Sequence, residues 1–334
     1  MSGSAFDRIL ARAQAAPRRI VLPESADERV LRAARQALDQ GLAQPVLLGR
    51  PDTIRDELAR LGLSAEGLDL HDPAQAGLLE RFTETVLELG SQRGMTRERA
   101  AQSVGSAVTY ACLMVRAGLA DGCLAGAVTA TADVVRSALR TIEREADATV
   151  VSSCFLLLFD TGHPLGDAFV AADCALVIDP DAEQLAAIAT AAGDSAQRLL
   201  ELEPAVAMLS FSTAQSARHA AVTKVREATV LARTARPDRR IVGEVQLDAA
   251  LVPELLGRKA PDEPPGPPCN VLVFPSLDAG NIGYKLIQRF GGARAIGPIL
   301  QGLAQPINDL SRGCSTQDVL DMIAVTAAQV RDTA

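Results

Sequence analysis

The sequence predicts an α/β fold, on three observations. Short runs rich in Val, Ile and Leu alternate with longer amphipathic stretches from residue 19 almost to the end, the pattern of parallel strands joined by crossover helices. Apolar residues make up 48% of the 334 and charged residues 22%, so a sizeable core can be buried. Aromatic residues supply only 3%, with no Trp, so that core must be built from aliphatic side chains and Ala. At roughly 150 residues per domain the length favours two domains or one large α/β unit, with the natural break near residue 148.

In chain order, RRIVLPE reads as a first strand, ADERVLRAARQALDQG as a helix, QPVLLGR as the next strand and PDTIRDELARLG as another helix. Residues 76 to 120 are helical in character, as two long segments meeting near Gly94. DGCLAGAV is a strand that runs through a Gly126 and Thr129 loop into the helix ATADVVRSALRTIERE. A second set begins with TVVSSCFLLLF and FVAADCALVIDP, then the helix DAEQLAAIATAAGDSAQRLLEL, the strand AVAMLSFST and the helical TKVREATVLARTAR. After RRIVGEVQLDAALV comes APDEPPGPPCN, too stiff and donor-poor for a strand interior and therefore a surface connection. NVLVFPSL, a helix from DAGNIGYKLIQRFGG, AIGPILQGL and a final helix from Thr316 complete the chain.

Thirty-three Lys and Arg against 41 Asp and Glu give a net charge of −8, which argues against a general role on nucleic acid or anionic membranes. Anionic ligands must then be held by local Arg or by helix ends. No apolar run approaches the roughly 18 to 20 residues of a membrane span, and the start lacks the apolar stretch of a secretory signal, so the expected location is cytoplasmic. Six scattered Cys with only three His suggest buried reduced thiols, not a zinc site. His71, His163 and His219 sit apart, without a second ligand, and are expected to be exposed or locally hydrogen-bonded. Walker A, GxGxxG after a strand, GxSxG and HExxH are all absent.

Two constellations could carry chemistry. PINDLSRGCSTQDVL gathers Asn308, Asp309, Ser311, Arg312, Ser315 and Asp318 into a loop that leads into a helix. A helix N-terminus with an adjacent Arg suits a phosphate or a developing oxyanion. Ser315 with Asp318 three residues on is also a capping-box pattern, and spacing alone favours that bland role. GAVTATADVVR has a similar design: a phosphate could sit on its N–H groups, or Thr131 could cap the helix while Asp133 and Arg136 form an exposed ion pair. There too the structural reading is favoured.

The chain resembles the phosphate acetyltransferases (phosphotransacetylases), within the wider phosphate acetyl/butyryl transferase group, over essentially its whole length. The resemblance is carried by LPESADERVLRAA at 22–34, DGCLAGAVTATADVVRSAL at 121–139, ADCALVIDPDAEQLAAIA at 172–189, VAMLSFST at 206–213, GEVQLDAALVPE at 243–254 and the nearly unbroken block from 270 to 315. It implies two α/β domains around a cleft, with an architecture like isocitrate and isopropylmalate dehydrogenase but no nicotinamide. The first would hold residues 1–147 and 301–334, the second 148–300. It also implies reversible acetyl transfer between coenzyme A and inorganic phosphate, usually by a homodimer, with no metal and no tightly bound cofactor; coenzyme A, acetyl phosphate and phosphate are the partners.

Carried over by motif, Ser311 would stabilise the transition state, Arg312 would bind the phosphate end of acetyl phosphate and Asp318 would be the base for the coenzyme A thiol. Arg136 would bind an anionic substrate group, and Thr131, Asn281, Tyr284 and Lys285 complete the implied substrate contacts. A thiol near pKa 8.5 facing a carboxylate near 3.9 makes full proton transfer uphill by roughly 6 kcal/mol, so transfer is expected to be concerted with attack on the carbonyl. The chain departs from the family pattern at Gly90, which replaces an arginine used for coenzyme A and leaves Arg93 as the substitute. It departs again at Thr129, in place of His, and at Ala214-Gln215, in place of Lys-Gly. A butyryl-type phosphate acyltransferase and a non-catalytic sensor of coenzyme A or acetyl phosphate are the alternative functions.

Overall fold

The computed structural model describes residues 4–74, 76–160 and 162–331; the side chains of Ala76 and Arg93 lie outside this description. The strands are β1 (Arg18–Leu22), β2 (Ala43–Leu48), β3 (Asp69–His71), β4 (Gly122–Ala125), β5 (Ser152–Leu158), β6 (Ala168–Ala172), β7 (Ala205–Leu209), β8 (Arg240–Val245), β9 (Val271–Val273), β10 (Arg294–Gln301) and β11 (Ile307–Asp309). The chain divides into two compact units, one of residues 9–146 with 303–334 and the other of residues 147–302 together with the first turn up to Arg8.

The unit of 9–146 and 303–334 is built on a five-stranded sheet in the order β11-β4-β1-β2-β3, every pair parallel. RRIVL forms β1 because its last three residues are fully buried aliphatics, as a strand covered on both faces requires. The helix Glu28–Asp39 follows because Asp27 accepts from Arg29 N–H at its start, and Val30, Leu31, Ala33, Ala34 and Ala37 bury one face. Pro51 opens the helix Pro51–Arg60 at a position where no N–H is needed. The order reverses between β1 and β4, so the loops leaving the C-terminal ends of β1, β4 and β11 are neighbours, the place where ligands bind in open α/β sheets.

The unit of 147–302 has a six-stranded sheet in the order β10-β5-β6-β9-β7-β8. Here the all-parallel expectation fails: β5 runs antiparallel to both β10 and β6. The physical reason for the β5–β6 pairing is the connection, since among the described residues no crossover helix lies between the two strands. β5 is buried along all seven residues, and Phe155 within it stacks on Tyr284 with centroids 4.1 Å apart. The helix Ala182–Leu200 starts on a capping box of Asp181 and Gln184, and the helix Ala220–Ala235 on the His219 ring, which accepts from Ala221 N–H. Residues 260–270 form no helix or strand, as their prolines require.

Other elements depart from expectation. Residues 76–116 hold three α-helices, Ala76–Leu89, Arg97–Val104 and Ala107–Arg116, because a second break falls at Gly105-Ser106. The short strands β3 and β11 carry too little pattern to be read from sequence, and the first helix Ala5–Ala15 is an addition to the predicted elements, with Phe6, Ile9 and Ala13 buried at helical spacing. All six Cys are free and buried. His71 shares a hydrogen bond with the Tyr110 hydroxyl at 2.9 Å, and burial lowers its pKa.

Candidate active site

Three segments meet at the C-terminal edge of the parallel sheet. From β1 comes Glu24, whose carboxylate accepts four backbone N–H groups of the loop after β4: Gly126 at 2.9 Å, Ala127 at 2.7 Å, Val128 at 3.1 Å and Thr129 at 2.7 Å. Those N–H groups converge on one anion, as expected of a backbone nest, but the anion is the chain's own carboxylate. The N–H groups of Gly126 to Thr129 are thus committed to Glu24, in keeping with the structural reading favoured for GAVTATADVVR over a bound phosphate.

Arg29 ties the same loop to the one after β11. Its Nη2 donates to Ala127 O at 2.8 Å, its Nη1 to Arg312 O at 2.9 Å and Cys314 O at 2.8 Å, and Asp27 holds the guanidinium through Nε and Nη2. That ion pair raises the Arg29 pKa and lowers that of Asp27.

Thr131 does not cap its helix. The N-cap is Ala130, with no side-chain bond; Thr131 is the first helical residue and its hydroxyl donates to Asp309 Oδ2 at 2.6 Å. Asp133 and Arg136 form the expected ion pair, both more than half exposed.

Asn308 and Asp309 are not in a loop but inside β11, at 0% and 1% exposure. Asn308 donates to Thr326 Oγ1 at 2.9 Å and to Gln329 Oε1 at 2.5 Å. Burial pushes the Asp309 carboxyl up to about 7 against the hydrogen bond from Thr131, and the Glu24 charge pushes the same way. The loop proper begins at Leu310. Ser311 and Arg312 are exposed; Ser311 Oγ accepts a long bond from Gly313 N–H at 3.3 Å, and the Arg312 guanidinium has no partner among the described residues.

Ser315 and Asp318 form the capping box that their spacing suggests. Ser315 Oγ accepts from Asp318 N–H at 3.1 Å, while Asp318 Oδ2 accepts from Ser315 N–H at 2.8 Å and from its hydroxyl at 2.9 Å. Asp318 is exposed, and its Oδ1 takes no bond among the described residues. The loop therefore presents a hydroxyl, a cation and one uncommitted carboxylate oxygen.

The profile of the phosphate acetyl/butaryl transferase family matches residues 4–327. The chain belongs to that family. It is 44% identical to a phosphate acetyltransferase of Thermoanaerobacterium thermosaccharolyticum, over 98% of this chain and 100% of that one, and 46% identical to a phosphate acetyltransferase of Paracoccus denitrificans, over 98% and 99%. The solved structure of a phosphotransacetylase from Streptococcus pyogenes superposes with a TM-score of 0.91 at 39% identity, covering 98% of both chains.

Within this family frame the expected site residues fall into two groups. Ser311, Arg312, Asp318, Thr131 and Arg136 lie in the unit of 9–146 and 303–334. Asn281, Tyr284 and Lys285 lie in the other, on the helix Leu277–Arg289, where Asn281 Nδ2 donates to Cys174 O at 3.0 Å and Lys285 donates to Asn281 Oδ1 at 2.7 Å. The Arg93 side chain is outside the described residues. Sequence reasoning missed Glu24, Arg29 and the burial of Asp309. One signal was present: Arg29 stands in the first turn of a helix, where a cation opposes the dipole unless it is tied elsewhere.

Among the described residues no group of three or more His, Cys, Asp or Glu could hold a metal ion, and no helix is long and apolar enough to cross a membrane.

Proposed function

We propose that the chain transfers an acetyl group reversibly between coenzyme A and inorganic phosphate. The observation that carries this reading is the loop after β11, which exposes Ser311, an Arg312 guanidinium with no partner among the described residues and an open oxygen of Asp318, in a chain over 40% identical to phosphate acetyltransferases along nearly its whole length. In the direction of acetyl-CoA formation, the sulfur of coenzyme A forms a bond to the acetyl carbonyl carbon of acetyl phosphate. The thiol proton passes to Asp318 Oδ1 as the C–S bond forms, the carbonyl oxygen takes up negative charge next to the Ser311 hydroxyl, and collapse breaks the C–O bond to phosphate, which leaves against Arg312. No acyl-enzyme is formed.

Coenzyme A also carries phosphate groups at its nucleotide end. An open pocket of about 440 Å³ is lined by Gly94, Met95, Arg99, Gln102, Ser103 and Arg140. Arg140 donates to Ser103 Oγ at 3.0 Å, Arg99 has no ion-pair partner among the described residues, and no carboxylate lines the pocket. Gly90 packs so tightly that an added Cβ would lie 2.5 Å from Met95 Cβ, which leaves no room for a side chain there. We assign the nucleotide phosphates to Arg99 and Arg140, with Arg136 one turn earlier on the same helix and Arg93 beside Gly94. Asn281, Tyr284 and Lys285 are assigned to substrate contacts of the second unit. A homodimer without a tightly bound cofactor, acting in the cytoplasm, completes the proposal.

The test is to mix purified chain with acetyl phosphate and coenzyme A and to follow thioester formation by ultraviolet absorbance, with propionyl and butyryl phosphate in parallel. Thioester formed fastest from acetyl phosphate supports the proposal; faster reaction with butyryl phosphate redirects it to the butyryl-type enzyme, and no thioester at all overturns it.

A further inference from the structure

Asp309 ends β11 at 1% exposure, two residues before Ser311. Its Oδ2 accepts the Thr131 hydroxyl at 2.6 Å, while Oδ1 is buried with no hydrogen-bond partner among the described residues. Against Oδ1 lies Gly126, at φ +105°, where an added Cβ would stand 2.2 Å from that oxygen and 2.6 Å from Leu310 N. The carboxyl is thus wedged between the loop after β4 and the start of the loop after β11. A buried polar atom left unpaired costs free energy, and an aliphatic residue would fill this strand end without that cost. Packing alone gives no reason for an Asp here.

We propose that Asp309 is a positioning residue for the acyl transfer: bonded to Thr131 and wedged on Gly126, it locks the loop after β4 against β11 and so fixes where Ser311 and Arg312 present their side chains. The inference rests on the reading above that Ser311 and Arg312 act on the acyl phosphate. Asp309 works through its neighbours and not through contact with the reacting atoms. The raised pKa leaves this role intact, because in the Thr131 bond the hydroxyl is the donor and either form of the carboxyl accepts it.

The test uses the full chain and four variants in the thioester assay: Asp309→Asn, Asp309→Ala, Thr131→Val and the double Asp309→Ala/Thr131→Val. Thermal melts confirm folding. A positioning role predicts that Asp309→Ala and Thr131→Val each lower kcat at least about tenfold with the KM for coenzyme A within about twofold. The double variant is no worse than the weaker single, because both remove one coupling. Asp309→Asn keeps an acceptor for Thr131 and retains at least about a third of the wild-type kcat. A folded Asp309→Ala with near-normal kcat overturns the inference, as does multiplication of the two single effects in the double variant. Should Asp309→Ala fail to fold, the remaining pair decides: an Asp309→Asn as impaired as Thr131→Val overturns the role, and a rescued one upholds it. An unmodified chain that makes no thioester refutes the functional reading instead, whereas a working chain with indifferent variants refutes only the role of Asp309.

Discussion

The loop after β4 and the loop after β11 leave neighbouring parallel strands at the same edge of one sheet, and each runs into a helix. Their sequences look alike in purpose, small residues and hydroxyls before an amphipathic stretch. In the structure they are opposites. The first is saturated: Glu24 takes four N–H groups, Arg29 takes a carbonyl and Asp309 takes the Thr131 hydroxyl. The second is tied by Arg29 at Arg312 O, Cys314 O and Cys314 Sγ and by the Ser315–Asp318 capping box, and leaves the Ser311 and Arg312 side chains exposed. A closed loop gives a rigid floor; an open one has groups to spend on a ligand. The backbone after β4 is thus occupied by the chain's own carboxylate, and the proposed anion contact rests on side chains after β11.

Breaking the open loop gives the largest effect. Arg312→Ala lowers kcat/KM by about a hundredfold or more and raises the acetyl phosphate requirement, while its melting temperature stays at the wild-type value because the guanidinium holds nothing together. Steady-state kinetics beside a thermal melt separate the two effects.

Breaking the closed loop does the reverse. Glu24→Ala strips the acceptor from four N–H groups and is expected to lose about 2 to 4 kcal/mol of stability by denaturant titration, since water can re-solvate only part of a half-buried site. A stable Glu24→Ala would show that the floor is not held by this carboxylate.

Asp309 sharpens the comparison through pH. Its folded pKa of about 7 lies above the ordinary 3.8, so the native state keeps a proton that the unfolded chain has released. The stability gained from this is fully present below pH 3.8 and declines as pH rises through about 7. Asp309→Asn cannot ionise. The stability of wild type relative to this variant should fall between pH 4 and 7, by up to about 4 kcal/mol, and flatten above that range. Equal pH profiles from denaturant melts would refute it. Glu24 is the charged neighbour that contributes, so Glu24→Gln should narrow the difference.

The remaining effects are smaller. Arg140→Ala is expected to raise the KM for coenzyme A about tenfold and to leave the reaction with pantetheine, which lacks phosphates, unchanged. Ser315→Ala removes the helix cap and with it about 1 kcal/mol, read as a lower melting temperature.

The sequence was most legible where chemistry is local. The helix from Thr316 starts where its capping box places it, and the Asp133–Arg136 pair forms at its helical spacing. The parallel character of β1, β2 and β4 followed from aliphatic runs alternating with amphipathic stretches. Asn308 and Asp309 misled because three strand residues beside a polar loop carry no periodicity. The antiparallel placement of β5 was hidden for a related reason, since a fully buried strand reads the same in either direction.

By itself, then, the amino-acid order determined the longer helices and the aliphatic strands β1, β2 and β4, where the last helix is capped, and that aliphatic layers would form the core. Those features depend on neighbours three or four residues away. Only the tertiary structure decided that Glu24 closes a loop 102 residues further on and that Thr131 bonds a carboxyl 178 residues distant. Both pairings exist because β11, β4 and β1 lie side by side, and strand order is set by the packing of the whole sheet, which no local run of residues encodes.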